Sequence, residues 1–140
     1  MPEGDANPQP PPLPGPVTNG EWNKVAAVAG ALIYVLVLYR FQTYTERNHM
    51  PSLTFIIFSG TMFLAGYGLG LVATASPTRA ASFLILGVWT AHAVVIAVDV
   101  REDPTNHNLL PFEFIYLGVL GSPAYLGSLL SRFTRRQRSS

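Results

Sequence analysis

The chain contains no cysteine. That excludes structural disulfides, thiolate metal sites and cysteine redox chemistry, and leaves the compartment open. Charge is scarce as well. Only 12% of the 140 residues are Asp, Glu, Lys or Arg, about half the share in an ordinary soluble domain. Four stretches carry no charge at all: 25–39, 51–78, 80–98 and 114–131. Each is close to the roughly 17–25 residues that cross a bilayer core of about 30 Å. A formal net charge of +1 argues against a bulk nucleic-acid binder. The N-terminus also lacks a basic segment leading into an apolar one. It has Glu3, Asp5 and seven prolines in its first twenty residues, so no cleavable secretory signal is expected there.

What is present reads as four membrane spans. The expected fold is all-α: an integral membrane four-helix bundle over 18–134, with spans near 23–39, 52–74, 80–100 and 111–131. A disordered proline-rich tail, 1–17, precedes it and a basic tail, 135–140, follows. Pro8–Pro16 has no flanking Lys or Arg to orient a proline-recognising domain, so it reads as a stiff solvated lead-in. Thr18 and Glu21 have the spacing of a capping box. Pro51 suits the first turn of span 2. The connection Ala75–Arg79 is very short, which makes spans 2 and 3 antiparallel neighbours. Asp103-Pro104 ends span 3, because a residue before proline is pushed out of the helical region. Pro123 removes a backbone donor in mid-span and predicts a kink near 118–123. Gly30, with Ala26, Ala27 and Ala31, forms a small-residue stripe on span 1. Gly66 and Gly70 form a GxxxG pair on span 2, and Gly118 lies on span 4. Small residues of this kind let helix backbones approach closely in a membrane.

Polar groups within the apolar part concentrate between Asp99 and Glu113, with His92 inside span 3. Ionisable groups at that depth face protein rather than lipid. A neutral imidazole there can ligate haem iron or the magnesium of a chlorophyll-type pigment, or relay protons. The plainer reading is a core histidine bonded to Thr90, Tyr34, Tyr67 or a backbone carbonyl. Asp99 is two helical turns after His92 and Asp103 continues the stripe, so His92, Asp99 and Asp103 could line an ion path. The plainer role for Asp99 is an interfacial ion pair. Asp103, His107 and Glu113, with His49 from the loop on the same side, could bind a divalent metal. No HExxH or comparable spacing supports that. Turn, cap and first-turn roles account for Asp103, Asn108 and Glu113. No serine sits in a G-x-S-x-G elbow. Ser59, Ser122 and Ser128 read as helix packing.

In size and span count the chain resembles the small multidrug-resistance-type transporters. Those proteins rely on a carboxylate inside the first span, and span 1 here has none. Vitamin K epoxide reductase-like proteins are also four-helix membrane bundles, but they need a CxxC that this chain lacks. The functional expectation is therefore a non-enzymatic, multi-pass protein of the cell (inner) membrane. It would be an accessory or structural subunit that packs with itself or with a larger membrane complex, binding no cofactor and no nucleic acid. The alternative is a haem-, pigment- or divalent-metal-binding subunit, or an ion or proton conductor, built on His92, Asp99, Asp103, His107 and Glu113.

Orientation follows from the cations beside the spans. Lys24, Arg79, Arg132, Arg135, Arg136 and Arg138 fall on one side, and Arg40, Arg47 and Arg101 on the other. The richer side is expected in the cytoplasm, with both termini. Topology reporters fused after Asn48 and at Ser140 should give opposite signals, and equal signals would end the four-span reading.

Overall fold

The computed structural model describes residues 18–39, 49–72, 76–102 and 110–138. Among these it is almost entirely helical, with no strand. Four helical stretches are long and apolar enough to cross a membrane: Asn19–Tyr39, Ser52–Val72, Thr78–Arg101 and Pro111–Gln137. The chain is a multi-pass helical bundle of the kind its charge-free stretches imply.

Span 1 is α1, Asn19–Ile33, continued by a π-helical segment, Tyr34–Tyr39. Its start is fixed by the capping box. The Glu21 carboxylate accepts from Thr18 N at 2.6 Å, and Thr18 Oγ1 accepts from Glu21 N at 3.4 Å. Two of the backbone donors orphaned at a helix start are thereby satisfied. The helix therefore begins at Asn19, a turn earlier than the expected span. Span 2 is α2, Ser52–Val72. Span 3 is α3, Pro77–Glu102, entered through Ser76, whose carbonyl accepts from Arg79 N and Ala80 N.

Span 4 is two helices, α4, Leu110–Gly121, and α5, Pro123–Arg138. The interruption has a chemical cause. Pro123 has no N–H for the carbonyl of Val119, four residues back. Ser122 supplies the substitute twice, its N donating to Val119 O at 3.1 Å and its Oγ at 2.8 Å. In lipid such a freed carbonyl must find a protein partner. Ser59 of α2 donates to the next carbonyl, Leu120 O, at 2.9 Å, tying span 2 to the break. The helix then continues to Arg138, so residues 135–138 of the expected basic tail prolong span 4, while 139–140 lie outside the described residues.

The tightest packing joins alternate spans, 1 with 3 and 2 with 4. Glycine is the reason. A Cβ on Gly30 would collide with the backbone of Leu84, and one on Gly87 with the backbone of Ala27. Across the bundle, a Cβ on Gly66 would strike the backbone of Ala124, one on Gly127 that of Phe63, and one on Gly70 the side chain of Ser131. At both crossings the backbones themselves touch. Spans 2 and 3, expected as neighbours from their short link, instead lie diagonally across the bundle and touch less than either touches span 4. Around the bundle the order is span 1, 3, 4, 2, and spans 1 and 4 scarcely meet. Phe58, Met62, Leu84 and Val88 fill the middle and are fully buried.

Gly60 and Gly68 differ from these, because a Cβ on either would meet nothing within 4 Å. Gly66→Leu and Gly30→Leu should each lose roughly 1–3 kcal/mol or more through overpacking, read as a lower unfolding midpoint in mild detergent. Gly68→Leu should unfold like the parent protein.

Candidate functional site

The polar centre of the bundle is a hydrogen-bonded chain through His92. Nδ1 lies 2.7 Å from the Tyr34 hydroxyl and Nε2 lies 3.0 Å from Glu113 Oε2. The three residues belong to spans 1, 3 and 4. Tyr34 is buried, and the side chains of His92 and Glu113 are 12% and 29% exposed. Aromatic rings enclose the imidazole edge-on, Tyr34 at 5.6 Å and Phe114 at 5.1 Å between centroids. Trp89 adds a second bridge from span 3 to span 4, its Nε1 donating to Phe114 O at 3.1 Å.

Local structure places each group. Tyr34 stands at the junction of α1 with the π-helical segment, and its N–H is shared between Ala31 O and Gly30 O. Wider turns of this kind recur at functional sites. They leave Tyr34 and Leu38 both facing inward, 4% and 5% exposed. Glu113 lies in the first turn of α4. It reaches His92 because spans 3 and 4 are offset. Trp89 meets Phe114, His92 meets Glu113, and Ile85 lies against Gly121. That register sets Leu110 level with about Ile96, so α3 overshoots the start of α4 by roughly 9 Å at 1.5 Å per residue.

The direction of the bonds follows from charge. An ionised carboxylate only accepts, so with Glu113 ionised Nε2 carries a proton and donates it. Nδ1 of the neutral ring is then free to accept from the Tyr34 hydroxyl. Both ring nitrogens are thus engaged, and metal or haem ligation by His92 would require giving up one of these bonds.

The other residues singled out in the sequence are distributed as follows. Asp99 is buried, two turns along α3 from His92. His92 is bonded to Glu113 across the helix interface. His49 is exposed, in the turn before α2. Asp103 and His107 lie outside the described residues. Among the described residues no three His, Asp or Glu side chains gather as a metal site would need. Gly30, Gly66 and Gly70 stand at the helix crossings, and Gly118 faces Trp89, where a Cβ would lie 3.2 Å from the indole ring. Tyr34 was legible only as one of several partners for His92. The Glu113 bond and the Trp89–Phe114 bridge depend on the offset between spans 3 and 4, which no local signal encodes.

At the opposite end the polar contacts are different in kind. Tyr67 meets Thr134 at 3.3 Å, Ser82 meets Tyr125 at 2.9 Å, and Arg135 Nε donates to Leu71 O at 3.0 Å. These groups link spans 2 and 3 to α5 and complete the free carbonyl end of α2.

No protein-family model, curated protein or solved structure matches the chain.

The chain through His92 can be tested for unity. Tyr34→Phe should cost about 0.5–1.5 kcal/mol, and His92→Phe, which strands both partners, about 1–3 kcal/mol. The double variant should cost little more than His92→Phe alone. Unfolding energies that add to within about 0.5 kcal/mol would show that the groups act separately.

Proposed function

We propose that this four-span protein is a small, non-enzymatic accessory subunit of the cell (inner) membrane, with both termini in the cytoplasm. It works by packing its outer face against a transmembrane helix, from a second copy or from a larger complex. The six-to-three division of Lys and Arg about the spans supports the orientation.

The observation that carries the reading is a groove at the interruption of span 4. Phe55, Ile56, Ser59, Gly60, Phe63, Leu120 and Pro123 line it, between α2 and the α4–α5 break. Its one hydroxyl, that of Ser59, is already spent on Leu120 O. Gly60 at its wall has open space where a Cβ would stand. The groove is thus apolar and open at a glycine, a surface on which an incoming helix gains close packing that acyl chains supply less well. The remaining glycines of the spans are mostly consumed inside the bundle, so Gly60 contributes nothing evident to the fold of the chain itself.

That separation yields the test. Gly60→Leu should leave the folded protein and its unfolding midpoint unchanged while abolishing the oligomer or complex seen in mild detergent. Recovery of the unaltered protein as a monomer, with no co-purifying chain and no cross-link through a cysteine introduced at Ile56, would overturn the reading.

A further inference from the structure

The chain of bonds through His92 has one half-open end and one closed end. We propose that Glu113, His92 and Tyr34 form a one-sided proton-binding site, loaded from the end of the bundle where α3 stops and α4 starts. The ligand is the proton itself, and the site is independent of whichever helix occupies the groove by Gly60.

Three features carry this. The first is access. Glu113 is less enclosed than His92, 29% exposed against 12%, and sits in the first turn of α4, on the side where that helix starts. The second is the chemistry of the pair. With Glu113 ionised and His92 neutral, the site carries one negative charge. Nε2–H then donates to the carboxylate, and Nδ1 accepts from Tyr34. A proton bound at Nδ1 brings the charge of the pair to zero, since an imidazolium then pairs with the carboxylate and Tyr34 Oη accepts. A neutral site is the less costly state inside a membrane, where isolated charge is expensive. One N–H bond is formed, at Nδ1, and one O–H bond of a hydronium ion is broken, leaving water.

The third feature is closure. Tyr34 is 4% exposed, and toward the other end of the bundle the fully buried Val88, Leu84, Phe58 and Met62 follow. These side chains have no group that can pass a proton on. At that level the Ser59 hydroxyl is engaged by Leu120 O, and the side-chain pairs Ser82 with Tyr125 and Tyr67 with Thr134 lie further along. Among the described residues, Tyr34 from span 1 and Glu113 from α4 are titratable groups bonded to His92. Span 2 has only Tyr67, bonded to Thr134, and Asp99 stands two turns further along α3. The arrangement therefore takes up a proton and holds it, in contrast to a path running through the bundle.

The test uses full-length protein carrying His49→Gln and His107→Gln, so that His92 is the only histidine, labelled with nitrogen-15 and placed in liposomes. At about pH 8 the ring should show the Nε2–H tautomer. Its signal should pass to the protonated pattern as the pH falls toward about 5, the range over which imidazole responds. Lowering the pH only on the side of the loops that follow spans 1 and 3 should produce the change, and lowering it only on the other side should not. A pH dye inside the liposomes should report no proton flux above that of empty vesicles. Glu113→Gln should alter the titration, which a merely space-filling carboxylate would not do. An Nδ1–H tautomer, an unresponsive signal, a response from the opposite side, or proton flux through the bundle would each overturn the proposal. If the doubly substituted chain does not fold, the same titration in the unaltered protein identifies His92 as the signal that shifts in Tyr34→Phe.

Discussion

Apolar side chains gain little by leaving lipid for one another, because acyl chains are as apolar as leucine. A bundle in that solvent needs another source of cohesion. Here it is the direct approach of helix backbones, possible only where a side chain is missing. Gly30 and Gly87 permit it between spans 1 and 3, and Gly66, Gly70 and Gly127 between spans 2 and 4. The rest of the architecture follows. Spans 1 and 2, and spans 3 and 4, become secondary neighbours. Spans running in the same direction become primary ones, and the order around the bundle is 1, 3, 4, 2.

That order gives His92 its position. Span 3 stands between spans 1 and 4, which barely touch, and His92 reaches both. Its two ring nitrogens connect helices that glycine contacts do not. Span 4 can present Glu113 at the right height because its start lies about 9 Å short of the end of α3. Its lower half is redirected by the break at Pro123, where Ser122 and Ser59 satisfy carbonyls that the proline leaves open. Glycine thus sets which helices meet, and polar side chains set the level at which they lock.

The span count was legible because membrane insertion is a property of local composition. The Thr18–Glu21 box and the Pro123 interruption were legible for the same reason, each depending on residues within one or two turns. The GxxxG pair announced close packing but not its partner. Gly66 faces Ala124, whose own sequence signal is faint, and Gly87 passed unnoticed although it mirrors Gly30. Glu113 shows the limit most clearly. In sequence it is grouped with Asp103 and His107, and it satisfies the rule for an acid in a helix's first turn. Its bond to His92 arises from the offset of two helices, and that offset depends on Trp89 fitting against Gly118 and Ile85 against Gly121.

Side-chain pairs that bridge helices in this bundle fall into two tiers, with a mainly apolar layer between them in which Ser59 is bonded to Leu120 O. The tier at Tyr34, His92 and Glu113 contains groups that can exchange protons. The tier at Tyr67, Thr134, Ser82, Tyr125, Ser128 and Ser131 consists of hydroxyls bonded to one another or to their own backbone. Phe58, Met62, Leu84 and Val88 separate the two. A bundle selected only for cohesion has no need of an ionisable pair, since the hydroxyl tier shows that neutral groups suffice to join helices at similar depth. Glu113 and His92 are costlier choices for the same mechanical task. The separation of the two tiers by an apolar layer is what makes that cost compatible with a closed membrane barrier.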